Sequence, residues 1–89
     1  MDIAFDPDKD AINRAKHGIS LAEAARIDWD SLRYEIDERH DYRETRYRGY
    51  GLIDGRLYAV VFTFRDGAMR VINLRKANNR EQRTYAGHD

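Results

Sequence analysis

Arg75 and Lys76 end the apolar run "AMRVINLRK", and Arg80 and Arg83 follow at once on the next segment. A guanidinium is planar, always charged, grips phosphate with two parallel hydrogen bonds and stacks on rings. In "TRYRGYGLI", Arg46 and Arg48 are two residues apart, so on a strand they share a face and Tyr47 points the other way. On the last strand, strict alternation sets Arg75 with Met69, Val71 and Asn73, and Lys76 with Arg70, Ile72 and Leu74. One of each adjacent pair must therefore leave the core. A buried, unpaired guanidinium is too costly, so a carboxylate such as Glu44 or Glu81 is expected beside it. A structural ion pair at the sheet edge explains one arginine well. It explains less well a set interleaved with Tyr42, Tyr47 and Tyr85. Cations among stackable rings are what a site for single-stranded nucleic acid needs.

Other chemistries have little support. The histidines are His17, His40 and His88, and no pair has ligand spacing on a helix, so neither a metal nor a cofactor is expected. His17 falls where a helix ends, where its ring can meet the terminal carbonyls, which is a structural role. His88 lies in the C-terminal tail. His40, in the loop "DERHDY", is the acid–base candidate among the three. There is no nucleophilic serine motif. The glycines of "GYGLIDG" lie in a strand and hairpin and open no helix, so they form no phosphate loop.

These side chains need elements to hold them. "DIAF" (2–5) reads as a short strand. "DPDKDAINRAKHG" reads as a helix capped by Asp6, started by Pro7 and stopped by Gly18, with Ala11, Ile12 and Ala15 as its apolar stripe. "SLAEAARID" restarts a helix, with Ser20 and Glu23 as a capping box and Leu21, Ala24, Ala25 and Ile27 inward. From residue 33 the period becomes two. "RYEIDE" and "TRYRGYGLI" are strands, and "DG" at 54–55 turns into "LYAVVFTF", which is apolar on both faces and expected to be central. "RDG" turns again into "AMRVINLRK", and Asn78 caps a short last helix. The expected fold is α+β: a short N-terminal strand and two helices on an antiparallel meander, then a C-terminal helix, in one domain spanning 1–89.

Sixteen bases balance sixteen acids, but unevenly along the chain. Residues 1–41 carry eleven acids and six bases, whereas 42–85 carry ten bases and four acids. Either the halves neutralise each other across the fold, or the basic one meets a polyanion. Without cysteine there is no disulfide framework, and a reducing compartment is the natural reading. No basic-then-apolar leader follows Met1 and no run spans a bilayer, so a cytoplasmic protein without a membrane role is expected.

Three stretches carry a resemblance. They are "FDPDKDAINRAKHGISLAEAARI" (5–27), "DERHDYRETRYRGYG" (37–51) and "NLRKANNREQRTY" (73–85). Within them stand N-x-x-K-H-G at Asn13, Lys16, His17 and Gly18, E-x-R at Glu44 and Arg46, and R-[KR]-A…E-x-x-x-Y at Arg75, Lys76, Ala77, Glu81 and Tyr85. The chain resembles the BrnT-type toxins of bacterial type II toxin–antitoxin modules, small ribonucleases with a RelE-like α+β fold. It departs from their usual pattern at Asn73–Leu74, where Ser-Ala is common, and in "IDWDSLRYEID". The resemblance implies metal-free RNA cleavage and neutralisation by a BrnA-type ribbon-helix-helix antitoxin. It also implies contact with DNA only through that antitoxin, and a toxin dimer within the complex. In such a site Arg46 and Arg75, supported by Lys76, stabilise the phosphorane, and Glu44, His40 or Tyr85 serves as base or acid. Arg48, Arg80 and Arg83 add RNA contacts. The alternative is a non-catalytic module whose basic strand–helix junction binds an acidic partner segment. A direct DNA binder is disfavoured, because no helix shows a basic recognition pattern.

Overall fold

The computed structural model describes residues 2–39, 41 and 43–87. Five strands form one sheet: β1 (Ile3–Ala4), β2 (Arg33–Ile36), β3 (Tyr47–Ile53), β4 (Arg56–Arg65) and β5 (Ala68–Lys76). Their order is β1-β5-β4-β3-β2, parallel only between β1 and β5, so β4 is central as its two-sided apolar run requires. Both hairpins turn on Asp-Gly. Asp54, Gly55, Asp66 and Gly67 all have positive φ, the conformation that suits a two-residue turn to the twist of its strands. The architecture is α+β, with the meander and the C-terminal helix where the sequence places them.

Helix α1 (Pro7–His17) starts where Asp6 accepts from the Asp8 amide and stops at left-handed Gly18. Its inward side differs from the expected one. Ala11, Ile12 and Ala15 are exposed, Ile12 to 64%, and the buried residue is Asn13. The reason lies at the sheet edge. β1 pairs only with Met69 and Arg70 of β5, which leaves the far half of that edge open. Asn13 closes it like a peptide group: Nδ2 donates to the Leu74 carbonyl at 2.8 Å and Oδ1 accepts from the Leu74 amide at 3.1 Å. The same Nδ2 also donates to the Ile19 carbonyl, tying the turn after α1 to the helix face.

The second helical stretch is a 3-10 segment, Leu21–Arg26, followed by another over Trp29–Ser31. Ser20 caps its own segment from within, accepting from the Ala22 amide, and is itself held by Asp10, which also takes the Leu21 amide. Pinned at that end, the segment turns Leu21, Ala24 and Ile27 into the core and leaves Ala25 outside. The chain then crosses the sheet close to Gly51, where a Cβ would stand 2.7 Å from Ile27 Cγ2. The core is this layer on one sheet face: Ile53, Val60, Phe62, Met69, Val71 and Leu74.

The burial of Met69, Val71 and Leu74 breaks strict alternation. Val61 pairs with Asn73 and Phe62 with Val71, so Ile72 is an extra residue, a β-bulge. Beyond it every side chain changes face. Arg75 therefore lies with Arg70 and Asn73 on the side away from the core, and Lys76 lies with Val71 and Leu74, the reverse of the expected partition.

Candidate active site

Away from the core, the register sets side chains of four strands on one surface. Arg33 is opposite Tyr50 and Glu35 opposite Arg48. Arg48 then faces Val61, and Tyr50 faces Ala59, which faces Arg75. A cavity of about 410 Å3 opens here, lined by Arg46 just before β3, Arg48 and Tyr50 of β3, Ala59 and Val61 of β4, and Asn73 and Arg75 of β5. Lys16 and His17 reach it from the end of α1, and Asp37, Arg39 and Glu81 complete its rim. Arg46, at the entry to β3, and Arg75, on β5, thus share one cavity.

Each also has a carboxylate. Glu81 takes Arg75 in a two-bond fork, Nη1 to Oε1 at 2.8 Å and Nη2 to Oε2 at 2.9 Å, and accepts from the Tyr50 hydroxyl at 2.9 Å. Glu81 is presented by α2 (Asn79–Ala86), whose start is a capping box with Asn78. Arg75 together with the Asn78 amide and the Tyr50 hydroxyl holds the Glu81 carboxyl down at about 2. Glu44 accepts from Arg65 at 2.6 Å and from Arg46 at 3.2 Å, and chiefly Arg65 holds its carboxyl below the usual value. Arg48 pairs with Glu35 at 2.8 Å. Asp37, buried, takes a fork from Arg39 with both bonds at 2.8 Å. Carboxylates that remain charged well into acid are weak proton acceptors, so neither Glu81 nor Glu44 is tuned as a base.

His17 is tuned the other way. Desolvation first, then Lys16 and Arg75, push its imidazole below the ordinary histidine value, so at neutral pH it is uncharged. Unprotonated, the imidazole keeps a nitrogen lone pair free to take a proton, while Lys16 and Arg75 oppose the charge it would then carry. Sequence reasoning gave it a structural part because it ends a helix. The signal lay in the spacing, since Lys16 and His17 stand three and four residues after Asn13, on the side that turns to the sheet.

The remaining expected residues are elsewhere. Lys76, turned over by the bulge, is absent from the cavity lining and borders a separate recess with Lys16, Tyr58 and Arg75. Glu44 sits beyond the rim with Arg65 and Arg46. Tyr85 and Arg80 line a second cavity between α2 and β2, with Tyr85 donating to the Ser31 carbonyl at 2.6 Å. Arg83 is exposed on α2 and lines neither cavity. His40 and Tyr42 lie outside the described residues. Among those described, no cluster of three histidine, cysteine or acidic residues has metal-binding geometry.

No curated protein matches the chain by sequence. The family described as "Ribonuclease toxin, BrnT, of type II toxin-antitoxin system" matches residues 5–81, which include Lys16, His17, Arg46, Arg48, Arg75 and Glu81. A match over nearly the whole chain, with the cavity's charged lining inside it, places this protein in the BrnT family of type II ribonuclease toxins.

Proposed function

We propose that the chain is a metal-independent endoribonuclease and that its first cavity is the catalytic site. The observation that supports this best is the meeting of Lys16, neutral His17, Arg46, Arg48 and Arg75 around one open cavity of about 410 Å3. In this reading His17 removes the proton of a ribose 2′-hydroxyl, and the 2′-oxygen attacks the adjacent phosphorus. Arg75 and Arg46 stabilise the charge that grows on the phosphorane, with Arg48 holding the strand. The P–O5′ bond breaks, Lys16 protonates the leaving oxygen, and a 2′,3′-cyclic phosphate remains. Approach of the phosphate draws Arg75 partly from Glu81, one anion replacing another.

The fold is RelE-like in the same reading. The partner is a BrnA-type ribbon-helix-helix antitoxin, the toxin is a homodimer within their complex, DNA is met only through the antitoxin, and the site of action is the cytoplasm. Family membership supports a protein antitoxin and RNA as substrate. Incubation of purified protein with single-stranded RNA, with and without chelator, is the test. Chelator-resistant cleavage that is lost in Arg75→Ala supports the proposal. Intact RNA at high protein concentration would support a binding module instead.

A further inference from the structure

We infer that the second cavity is a base subsite: it takes the nucleobase next to the cleaved phosphate, and takes it by stacking. This rests on the ribonuclease reading and adds the path of the strand and a source of sequence preference. The cavity, about 510 Å3, lies between β2, β3 and α2, and Arg48, Tyr50 and Glu81 line both it and the catalytic cavity. A strand with its phosphate in the first therefore reaches the second with its neighbouring nucleotide.

The second cavity offers different chemistry. The Arg33 guanidinium lies 5.3 Å from the centre of the Tyr85 ring, and the Tyr85 hydroxyl is fixed on the Ser31 carbonyl. A guanidinium held over a pinned ring makes a stacking site, and a base plane can lie against either group. Phosphate alone gains nothing from a ring. The acids at this rim, Glu35 and Glu81, are each already matched by an arginine, Arg48 and Arg75, so they leave Arg33 and Arg80 as the uncompensated charge in the lining. Backbone phosphate and base are thus served by neighbouring but distinct groups.

The test uses the full chain and a single-stranded RNA whose cleavage site has been mapped. A copy with a 2′-deoxy group at that site, which cannot be cut, carries 2-aminopurine at each position in turn. Quenching is expected beside the deoxy position and not at distant ones. Arg33→Ala, checked for an unchanged melting temperature, is expected to raise KM about tenfold with kcat within about twofold. It should also abolish the local quench and flatten the base preference at that position. Arg33→Lys keeps the charge without the plane and should behave like alanine. Recovery by lysine would overturn stacking in favour of a phosphate contact, and an unchanged KM and quench in Arg33→Ala would remove the subsite. Wild-type protein that cuts no RNA refutes the ribonuclease reading, and the inference with it, before any variant is made.

Discussion

Glu81 is the residue through which the two cavities share one electrostatic setting: it forks onto Arg75, accepts from Tyr50 and caps α2. Its carboxyl is held at about 2, below the 4.5 of an unperturbed glutamate. The folded state thus binds fewer protons than the unfolded one, and the stabilisation is complete above pH 4.5 and lost as pH falls toward 2. Because Arg75 is partly open to solvent, the effect is discounted to about 1–2 kcal/mol. Glu81→Gln should therefore destabilise by about that much at pH 7 and leave a shallower acid limb in urea melts; equal stability from pH 7 to 3 in the parent would contradict it. At His17 the sign concerns activity. The base must be unprotonated, and its pKa lies below 6.5, so kcat/KM should fall only below that pH. His17→Asn should lower kcat by about 10²–10⁴-fold. Retained activity in that variant would assign the base elsewhere.

At the scale of elements, two devices position the site. The bulge at Ile72 lets β5 end with Leu74 in the core and Arg75 on the opposite face. Deleting Ile72 should make the β4–β5 pairing regular while Leu74 stays in the core and Arg75 on the opposite face, and a crystal structure of that variant with Arg75 turned to the core would contradict the assignment of Ile72 as the extra residue. The second device is Asn13, whose amide mates with Leu74 at the open edge of β5. Asn13→Leu leaves buried Leu74 and Ile19 polar groups unsatisfied and should cost about 2–4 kcal/mol, read as a lowered urea midpoint. Because Lys16 and His17 ride on the same helix, activity should fall further than the folded fraction. Gly51 belongs here as well. A Cβ would press on Ile27 Cγ2, so Gly51→Ala should cost about 1–3 kcal/mol.

Over the whole molecule, charge is organised by surface and not by halves of the chain. Glu35–Arg48 and Asp54–Arg26 join the acidic and basic halves, but Arg75–Glu81, Arg46–Glu44, Arg65–Glu44 and Arg39–Asp37 each lie within one. Basic groups gather on the face away from the core, while the opposite face carries the apolar layer and, toward β2, exposed Tyr34, Ile36 and Phe64. A zero net charge thus coexists with a face rich in basic groups. RNA binding should weaken with salt at about 0.7 log units per log unit of salt for each phosphate held, and Arg48→Ala should reduce the slope by about that amount. A salt-independent affinity would argue against this face as the RNA surface.

What the sequence determined by itself follows from local physics. Period-two apolar runs, Asp-Gly turns, Asp6, Pro7 and Gly18 around α1, and Asn78 with Glu81 each act within a few residues, so strands, hairpins and helix ends were legible. That a carboxylate such as Glu44 or Glu81 would stand beside a guanidinium was legible too, since a buried guanidinium demands a near acid, but which arginine each one takes was decided by the fold. Tertiary structure alone decided the faces and the membership of the site. A bulge is a property of two paired strands, invisible in either one, and it separated Lys76 from Arg75. The short reach of β1 left an edge that Asn13 closes, and in closing it the helix brought Lys16 and His17 to arginines about thirty and sixty residues away in sequence.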